Sequence, residues 1–357
     1  MLIGVEDREH LGSSIAAVLA EQCSMARVHR HADGAEDIAA SLRASAVDLG
    51  WLLLALPEKQ GGLGLGADGL VLLIREMGRR LAPGPFIPTL CLVQILCEFG
   101  PTELVERLLP DLAAGRISAA VPARRARRDG EAALLLGEPE TAGVLATYAQ
   151  SHGGGLHLLH VHDDGQRGEP GAALWDRTRQ LFRIPAAAEP VCELPGEAAE
   201  RLDMLFNLSL AADSVGLAEG IFVQTVDYLN QREQFGRKIG SFQALKHRAA
   251  DLLVAIEQAA HLLEQGLAAA SGDPGEARLW AAMCKSSATD MAVRVTQDCL
   301  QLHGGIGFTW EYDCHLFLKR ARLNQMLGQD NARLRADAFT SLTSQLQAGK
   351  APMDIRS

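Results

Sequence analysis

An uninterrupted apolar stripe in the last third of the chain is the feature that most restricts the fold. After Ser241, leucine, isoleucine and alanine recur at intervals of three or four residues, at Leu245, Ala249, Leu252, Ile256, Ala260, Leu263 and Leu267. This spacing places them on one face of a single helix of roughly 30 residues. A helix of that length needs partner helices along its whole length, so the stripe predicts a helical bundle.

A second long helix is predicted directly after the first. Asp273 is a suitable N-cap, Pro274 fits the first helical position, and Glu276 stands three residues after the cap. A comparable apolar stripe follows at Cys284, Ala288, Met291, Val295, Cys299 and Leu302, and the pair Gly304 and Gly305 ends it. The two long helices lie next to each other in sequence and are therefore predicted to pack antiparallel.

The whole chain divides into three predicted units. Residues 1–116 show helical spacing broken by Gly- and Pro-rich connections. Residues 117–195 carry short apolar runs such as "AALLLG" and "LHLLHVH" between Gly, Pro and Asp, which indicate strands. Residues 196–350 combine the two long helices with further helices predicted at 313–327 and 330–347, as an antiparallel four-helix bundle. The predicted fold class is mostly α with a small β domain.

The overall composition excludes several classes of protein. Apolar residues make up 48% of the 357 residues but aromatic residues only 5%, which suits packed helices better than β-sandwiches. A net charge of −10 provides no field that would hold a nucleic-acid backbone, so we exclude nucleic acid as a partner. The seven cysteines lack C-x-x-C spacing, the N-terminus lacks a signal pattern, and no apolar run reaches about 18 residues. We therefore expect a reduced cytoplasmic protein without a membrane span.

Two polar clusters fall in the predicted β domain. One of them comprises His152, His157, His160, His162, Asp163 and Asp164. Alternation along a strand would split this set between two faces, so we predict no metal site there. The other is the basic segment "ARRARRD" at 123–129, for which an anion site and a solvated loop are the two alternatives.

Two longer stretches carry a resemblance to a known family. "REQFGRKIGSFQALKHRAADL" (232–252) and "QDCLQLHGGIGFTWEYDCHLFLKRAR" (297–322) resemble the acyl-CoA dehydrogenase family, in its order and on the expected helices. The stretch "LPEKQGGLGLGADGLVLLIREMGRRLAPGPFIPT" resembles the N-terminal helical domain of the same family. The resemblance covers most of the chain and implies the fold of that family, in which a helical domain, a β domain and a four-helix bundle follow one another.

The resemblance also implies a site for FAD. In the family, residues at the positions of Arg232 and Phe235 meet the FAD of a neighbouring subunit, alongside those matching Gln301 and Gly305. The full set of matching positions is Arg232, Gln234, Phe235, Phe242, Gln243, Gln301, Gly304 and Gly305. The chemistry suits a pyrophosphate, because a guanidinium pairs with anionic oxygens and glycine lets backbone N–H groups approach them.

A catalytic base is missing at both positions that the family uses. The family reaction is α,β-dehydrogenation of an acyl-CoA thioester, in which a Glu removes the α-proton and the β-hydrogen leaves as hydride to the flavin. In one branch that Glu precedes the last helix, where Gly328 stands here with Asp330 two residues later. In the other branch it lies ten residues before a Gly that matches Gly216, which gives Phe206. Neither glycine nor phenylalanine accepts a proton, so no catalytic residue is predicted in this chain.

The predicted β domain also departs from the family pattern. Catalytic members carry Thr-Glu-Pro, Gly-Ser-Asp and Trp-Ile-Thr or Trp-Ile-Ser motifs against the flavin, whereas the first such region here reads "AVPARRARRDGEA". The stretch "ALWDRTRQLFRIP" (173–185) still resembles a later strand of that domain. The resemblance thus implies the base-lacking subunit of an α2β2 heterotetramer, like those acting on steroid side-chain CoA thioesters. Such a subunit shares FAD with a second acyl-CoA dehydrogenase subunit, through which the acyl-CoA substrate is bound.

Two other functions remain open from the sequence. The chain could be a self-sufficient acyl-CoA dehydrogenase with a relocated base, for which Glu219 on the first bundle helix and Asp330 are the candidates. It could also be a non-enzymatic scaffold that keeps the helical assembly surfaces and binds no flavin.

Overall fold

The first part of the fold is a group of helices. The computed structural model describes residues 4–124, 132–149, 155–160, 169–170, 174–185, 189–347 and 349. The helices of the first part are α1 (Val5–Gln22), α2 (Met25–Ala32), α3 (Ile38–Asp48), α4 (Gly66–Arg79), α5 (Phe86–Phe99) and α6 (Thr102–Ala113). Helix α5 is buried from Phe86 to Leu96, which explains why its sequence is apolar on every face.

A twisted sheet follows the first helices. Its strands are β1 (Ser118–Pro122), β2 (Ala133–Leu136), β3 (Ala142–Tyr148), β4 (Leu156–His160), β5 (Glu169–Pro170), β6 (Leu181–Ile184) and β7 (Cys192–Leu194). They are ordered β5-β6-β2-β1-β3-β4-β7, and all neighbours run antiparallel except β1 and β3. Strand β1 packs on α5, while a separate apolar cluster that includes Leu135, Leu145 and Phe182 covers part of the sheet.

The last part of the fold is the helical bundle. Its elements are α7 (Gly196–Gln231), the two-stranded hairpin β8 (Glu233–Gln234) and β9 (Arg237–Lys238), α8 (Gln243–Ala269), α9 (Pro274–His303), α10 (Cys314–Met326) and α11 (Asn331–Gln347). Helix α9 packs against α7, α8 and α10, and α11 lies on the outside of α9. The predicted fold class is confirmed: the molecule is mostly helical with a small sheet. The division at 1–116, 117–195 and 196–350 stays a prediction.

The caps and stripes of the two long helices explain where they begin and end. The Asp273 carboxylate accepts hydrogen bonds from the N–H groups of Gly275 at 2.9 Å and Glu276 at 3.0 Å, so α9 begins where the sequence predicts. Gly304 ends α9 with a φ of +68°, a conformation that glycine adopts without steric cost. Along α8, the predicted stripe from Leu252 to Leu267 is buried in the bundle.

Helix α7 is the central helix of the bundle. It crosses α4 closely, because Gly78 of α4 and Gly216 of α7 leave no side chain between the two backbones. Within the described ranges, α7 is the helix long and apolar enough to cross a membrane, yet 78% of its most apolar 18-residue window is buried inside the fold. A helix enclosed on this scale is part of the protein core.

Candidate functional site

Arg232 lies at the exposed C-terminal end of α7. Its N–H donates to the carbonyl oxygen of Tyr228 at 2.8 Å, and its own carbonyl accepts from the N–H of Ile239 at 2.8 Å. The side chain is exposed, and no carboxylate in the described part of the chain is paired with its guanidinium. Arg232 therefore presents a fixed backbone and a free positive charge to the surroundings.

The hairpin after Arg232 carries the predicted aromatic contact. Phe235 and Gly236 form its turn with φ values of +55° and +74°, the left-handed conformation that tight hairpin turns require. The Phe235 side chain is 91% exposed. A phenylalanine in the left-handed region is uncommon, and this one has an apolar ring that is available to a ligand or another chain. Gln234 is exposed and donates to the carbonyl of Glu233 at 2.7 Å.

Phe242 and Gln243 begin α8 beside this hairpin. The Phe242 ring stands edge-on to Phe235 with centroids 6.2 Å apart, and the guanidinium carbon of Arg237 lies 4.0 Å from the Phe242 ring centroid. This cation–π contact holds a second positive charge near the hairpin. Gln243 is exposed at the first position of α8. The structure thus brings five of the predicted cofactor positions into one surface.

The remaining predicted positions lie at the C-terminal end of α9. Gln301 and Gly305 are exposed, and Gly304 is half-buried. A Cβ atom built on Gly304 or Gly305 would meet no atom within 4 Å, so a ligand can approach the backbone directly. We call the two segments 232–243 and 301–305 together the grip.

The two segments of the grip are joined by residues that sequence reasoning missed. The Tyr228 hydroxyl donates to the carbonyl oxygen of His303 at 3.3 Å, and the two rings stack with centroids 4.4 Å apart. Tyr228 precedes Arg232 by one helical turn, and His303 immediately precedes Gly304. The sequence shows that an aromatic residue lies one helical turn before Arg232. It does not show the partner of that residue, because His303 lies 75 residues away from Tyr228.

The grip fits the pyrophosphate and adjoining planar groups of FAD. It offers an unpaired guanidinium at Arg232, backbone free of side-chain obstruction at Gly304 and Gly305, and an uncovered aromatic ring at Phe235. The N–H of Gly304 already donates to the carbonyl of Gln301, so Gly305 is the position whose N–H would meet an anion. Anionic oxygens bind guanidinium groups and backbone N–H groups, and flat rings bind aromatic side chains. All of these groups are on the surface of this chain, where a nucleotide can reach them.

The two positions at which the family places a base adjoin each other. Phe206 on α7 is buried, and Gly328 follows α10 with a φ of +70°. A Cβ atom on Gly328 would lie 3.7 Å from Cε1 of Phe206 and 3.7 Å from Oδ1 of Asn207. The N–H of Gly328 donates to the carbonyl of Ala123 at 2.8 Å, which ties this turn to the end of β1. Neither position supplies a titratable side chain, and the ring of Phe206 packs against Gly328.

A buried lysine holds the turn that contains Gly328. The Lys285 ammonium donates to the carbonyls of Gln325 at 3.2 Å and Gln329 at 2.9 Å, and to Oδ1 of Asn331 at 2.7 Å. Burial lowers the pKa of Lys285 to about 8, against which the carboxylates of Asp290 and Asp330 act. All three lysine protons are used in these bonds, so Lys285 fixes the backbone of the turn.

Both candidates for a relocated base are engaged in structural contacts. The Glu219 carboxylate pairs with Arg79 Nη2 at 2.8 Å and with Arg75, whose Nε donates at 3.1 Å. Asp330 is the N-terminal cap of α11, since its Oδ1 accepts from the N–H groups of Ala332 at 2.9 Å and Arg333 at 3.2 Å.

The predicted polar clusters of the β domain are only partly described. His152, His162, Asp163 and Asp164 lie outside the described residues, while His157 on β4 lies 3.5 Å from the Glu193 carboxylate. Within the described ranges no group of three or more His, Cys, Asp or Glu side chains could hold a metal ion. Of the basic segment 123–129, the structure describes Ala123 and Arg124, and Arg124 lines an open cleft of about 880 Å³ beside Gly328.

Comparisons with known proteins identify the family of the chain. Residues 6–116 match the model of the acyl-CoA dehydrogenase N-terminal domain, and residues 204–337 match that of the acyl-CoA dehydrogenase C-terminal domain. The chain is 32% identical over 320 residues to acyl-CoA dehydrogenase IpdE2 of Mycobacterium tuberculosis, and the alignment covers 88% of this chain and 91% of that protein.

Solved structures share the fold over nearly the whole chain. A variant of the Tcur3481-Tcur3483 steroid ACAD superposes with a TM-score of 0.85 at 27% identity, covering 96% of this chain and 99% of that chain. The ChsE4-ChsE5 complex of Mycobacterium tuberculosis shares the fold with a TM-score of 0.79 at 21% identity, over 98% and 99% of the two chains. This chain therefore belongs to the acyl-CoA dehydrogenase family.

Proposed function

We propose that this chain is a subunit of a heteromeric FAD-dependent acyl-CoA dehydrogenase that binds the adenosine and pyrophosphate half of FAD and lacks a catalytic base. One observation carries the proposal: the grip is exposed, while the two base positions hold the ring of Phe206 and the glycine at 328. A family member that supplies only half of a cofactor site needs a second chain for the other half.

The relatives support a second chain and a bulky substrate. Two of the similar solved structures are named for two different chains each, Tcur3481-Tcur3483 and ChsE4-ChsE5, and the first is called a steroid ACAD. We infer by analogy an α2β2 assembly in the cytoplasm, with a steroid side-chain CoA thioester or another bulky acyl-CoA bound through the partner subunit.

This chain would act by binding and orienting rather than by proton transfer. When bound, FAD supplies a hydride acceptor for the β-hydrogen of the acyl-CoA, and a carboxylate of the partner subunit removes the α-proton. Arg232 would pair with the pyrophosphate, Gly305 would let backbone N–H groups reach it, and Phe235 would cover an adjoining planar group. Removal of a general base costs on the order of 10²- to 10⁴-fold in rate, so copies of this chain alone should turn over very slowly.

The test is FAD retention by the co-expressed complex. The chain purified alone should bind little FAD, and co-expression with a second acyl-CoA dehydrogenase subunit should give a yellow complex absorbing near 450 nm. Arg232→Ala should raise the Kd for FAD about 10- to 100-fold, because it removes a hydrogen-bonded charge contact. The matched control is Arg278→Ala at the other end of α9, where Arg278 pairs with Glu200 on the surface. Equal FAD content in both variants would refute the proposal.

A self-sufficient enzyme with a relocated base is the second candidate. The contacts of Glu219 and Asp330 argue against it, because the Glu219 carboxylate is held by two arginines and the Asp330 carboxylate caps α11, so neither is free to approach a substrate carbon. The isolated chain and its Glu219→Ala and Asp330→Ala variants should show no turnover with acyl-CoA and FAD. Turnover by the isolated chain that one of these substitutions abolishes would establish this candidate instead.

A further inference from the structure

An aromatic cluster lies directly beneath the grip. Tyr228 and His303 stack with an interplanar angle of 22°, and Tyr312 stands edge-on to both rings, with centroids 6.0 Å from Tyr228 and 5.8 Å from His303. The cluster joins the last turn of α7, the last turn of α9 and the segment before α10.

Hydrogen bonds fix the orientation of both stacked residues. The Nδ1 atom of His303 lies 2.8 Å from the carbonyl oxygen of Cys299, and a carbonyl can only accept, so Nδ1 carries the proton. Burial lowers the pKa of His303, which favours this neutral form. Tyr228 in turn donates to the carbonyl of His303, one of the last carbonyls of α9, which have no partner within the helix. The two rings therefore have one defined arrangement.

The stacked pair adjoins the backbone of each half of the grip. The N–H of Arg232 donates to the carbonyl of Tyr228 at 2.8 Å, and His303 directly precedes Gly304 in the chain. The hairpin and the glycine turn share no described hydrogen bond with each other. Helices α7 and α9 pack along their length, and the stacked pair is the described contact between the two ends that carry Arg232 and Gly304.

We infer that Tyr228 and His303 are positioning residues that set the distance between the arginine half and the glycine half of the grip. The inference rests on the proposed function, since it concerns the same FAD site. A single anionic group can be held by both halves only when their spacing is fixed. Loss of one positioned charge contact should raise the Kd for FAD roughly tenfold. In this role the pair acts through the backbones of Arg232 and Gly304, which adjoin it.

The experiment compares FAD binding with stability in the co-expressed complex. Tyr228→Leu and His303→Leu each remove the stack, and each should raise the Kd for FAD roughly tenfold, measured by titrating FAD into the stripped complex. The double variant should be no weaker than either single variant, because the same contact is lost once. Tyr228→Phe keeps the ring and loses only the hydroxyl, so its Kd should stay within about threefold of wild type. Tyr148→Leu, a half-buried tyrosine on β3, is the matched control and should leave the Kd unchanged.

Amide hydrogen exchange on the isolated chain gives a readout that does not depend on FAD. Tyr228→Leu should speed exchange at Arg232 and Gly304 together, whereas Tyr148→Leu should change neither. If Arg232→Ala weakens FAD binding and the two leucine variants do not, this inference is wrong and the proposed function stands. If Arg232→Ala has no effect, the proposed function fails first. Failure of either leucine variant to fold would also overturn the inference, because the rings would then be required for folding rather than for spacing.

Discussion

Single arginine residues in this chain have opposite roles that depend on their surroundings. Arg232 is exposed and has no carboxylate partner in the described ranges, so its charge is available to an anionic ligand. Arg320 is fully buried, and Asp176 and Asp213 neutralise it. A buried charge is tolerated only with such partners. The residue type alone therefore says nothing about function until the neighbours in space are known.

His315 is a half-buried histidine whose two ring nitrogens are buried and make no hydrogen bond in the described part of the fold. Its ring lies 4.5 Å from that of Trp310 and 5.9 Å from that of His29. Burial, followed by the positive charges of Lys319 and His29, lowers the pKa of His315 from 6.5 to about 4. Between these two pKa values, His315 binds a proton in the unfolded chain but not in the folded protein.

His315 should make stability fall as the pH is lowered. Above pH 6.5 the ring is neutral in both states and contributes no pH dependence, but between pH 6.5 and about 4 only the unfolded chain binds the proton. The free energy of unfolding of the wild type should therefore decrease more steeply through this window than that of His315→Leu. Urea denaturation at pH 7.5, 6 and 5 measures the free energy of unfolding of both proteins. His247→Leu, a substitution at an exposed histidine, is the control. Parallel pH profiles for wild type and His315→Leu would contradict this prediction.

At the scale of elements, local sequence patterns predicted the long helices. They did not predict the side-chain contacts that connect one helix to another. The stripe from Leu252 to Leu267 and the cap at Asp273 predicted α8 and α9, because helix periodicity and capping act over a few residues. The stacked pair of Tyr228 and His303 and the lysine at 285 escaped sequence analysis. Their partners lie 40 to 75 residues away, and no local pattern encodes which distant residues meet.

The crossing of α4 and α7 depends on glycine. A Cβ atom on Gly216 would overlap the carbonyl oxygen of Arg75, and one on Gly78 would overlap that of Asp213. Both obstacles are backbone atoms of the facing helix, which cannot move aside without separating the two helices. Because no side chain separates the two backbones at the crossing, α4 and α7 pack together along their most buried faces.

Gly216→Ala should therefore destabilise the protein although alanine favours helices. Alanine gains about 1 kcal/mol of helix propensity over glycine. Overpacking against backbone atoms should cost about 3 kcal/mol, so the net loss in the free energy of unfolding should be about 2 kcal/mol. The matched control is Gly12→Ala in α1, where the new Cβ would meet only a side-chain atom of Leu72 at 3.5 Å. The control should be neutral or stabilising in urea denaturation. A stabilising effect of Gly216→Ala would show that the helices separate without cost.

At the scale of the whole molecule, one buried polar network connects all three parts of the fold. The Arg320 guanidinium on α10 binds the Asp176 carboxylate at 2.7 Å and the Asp213 carboxylate at 3.3 Å, and it also contacts Thr178. It donates to the carbonyls of Leu81 at 3.4 Å and Ala82 at 3.2 Å, in the connection between α4 and α5. Helix α10, the segment before β6 and the N-terminal helices are thus held by one side chain.

The second arginine of the network completes its charge balance. Arg179 Nη2 lies 2.9 Å from the Asp213 carboxylate, and its Nη1 donates to Asn324 at 2.8 Å. Burial and the neighbouring Arg320 charge lower the pKa of Arg179 to about 10, so it stays charged at neutral pH. Two arginines and two aspartates give no net charge, which is what allows the cluster to be buried.

Removing Arg320 should therefore weaken the whole molecule rather than one helix. Arg320→Ala leaves two aspartates buried beside a single arginine and frees the carbonyl of Leu81, a residue held at a φ of +50°. Breaking a buried pair in this way costs about 3–5 kcal/mol in the free energy of unfolding. Arg322→Ala, an exposed arginine on the same helix, is the matched control and should change that free energy by less than about 0.5 kcal/mol. Urea denaturation followed by circular dichroism compares the two, and near-equal midpoints would show that the three parts are held together without this network.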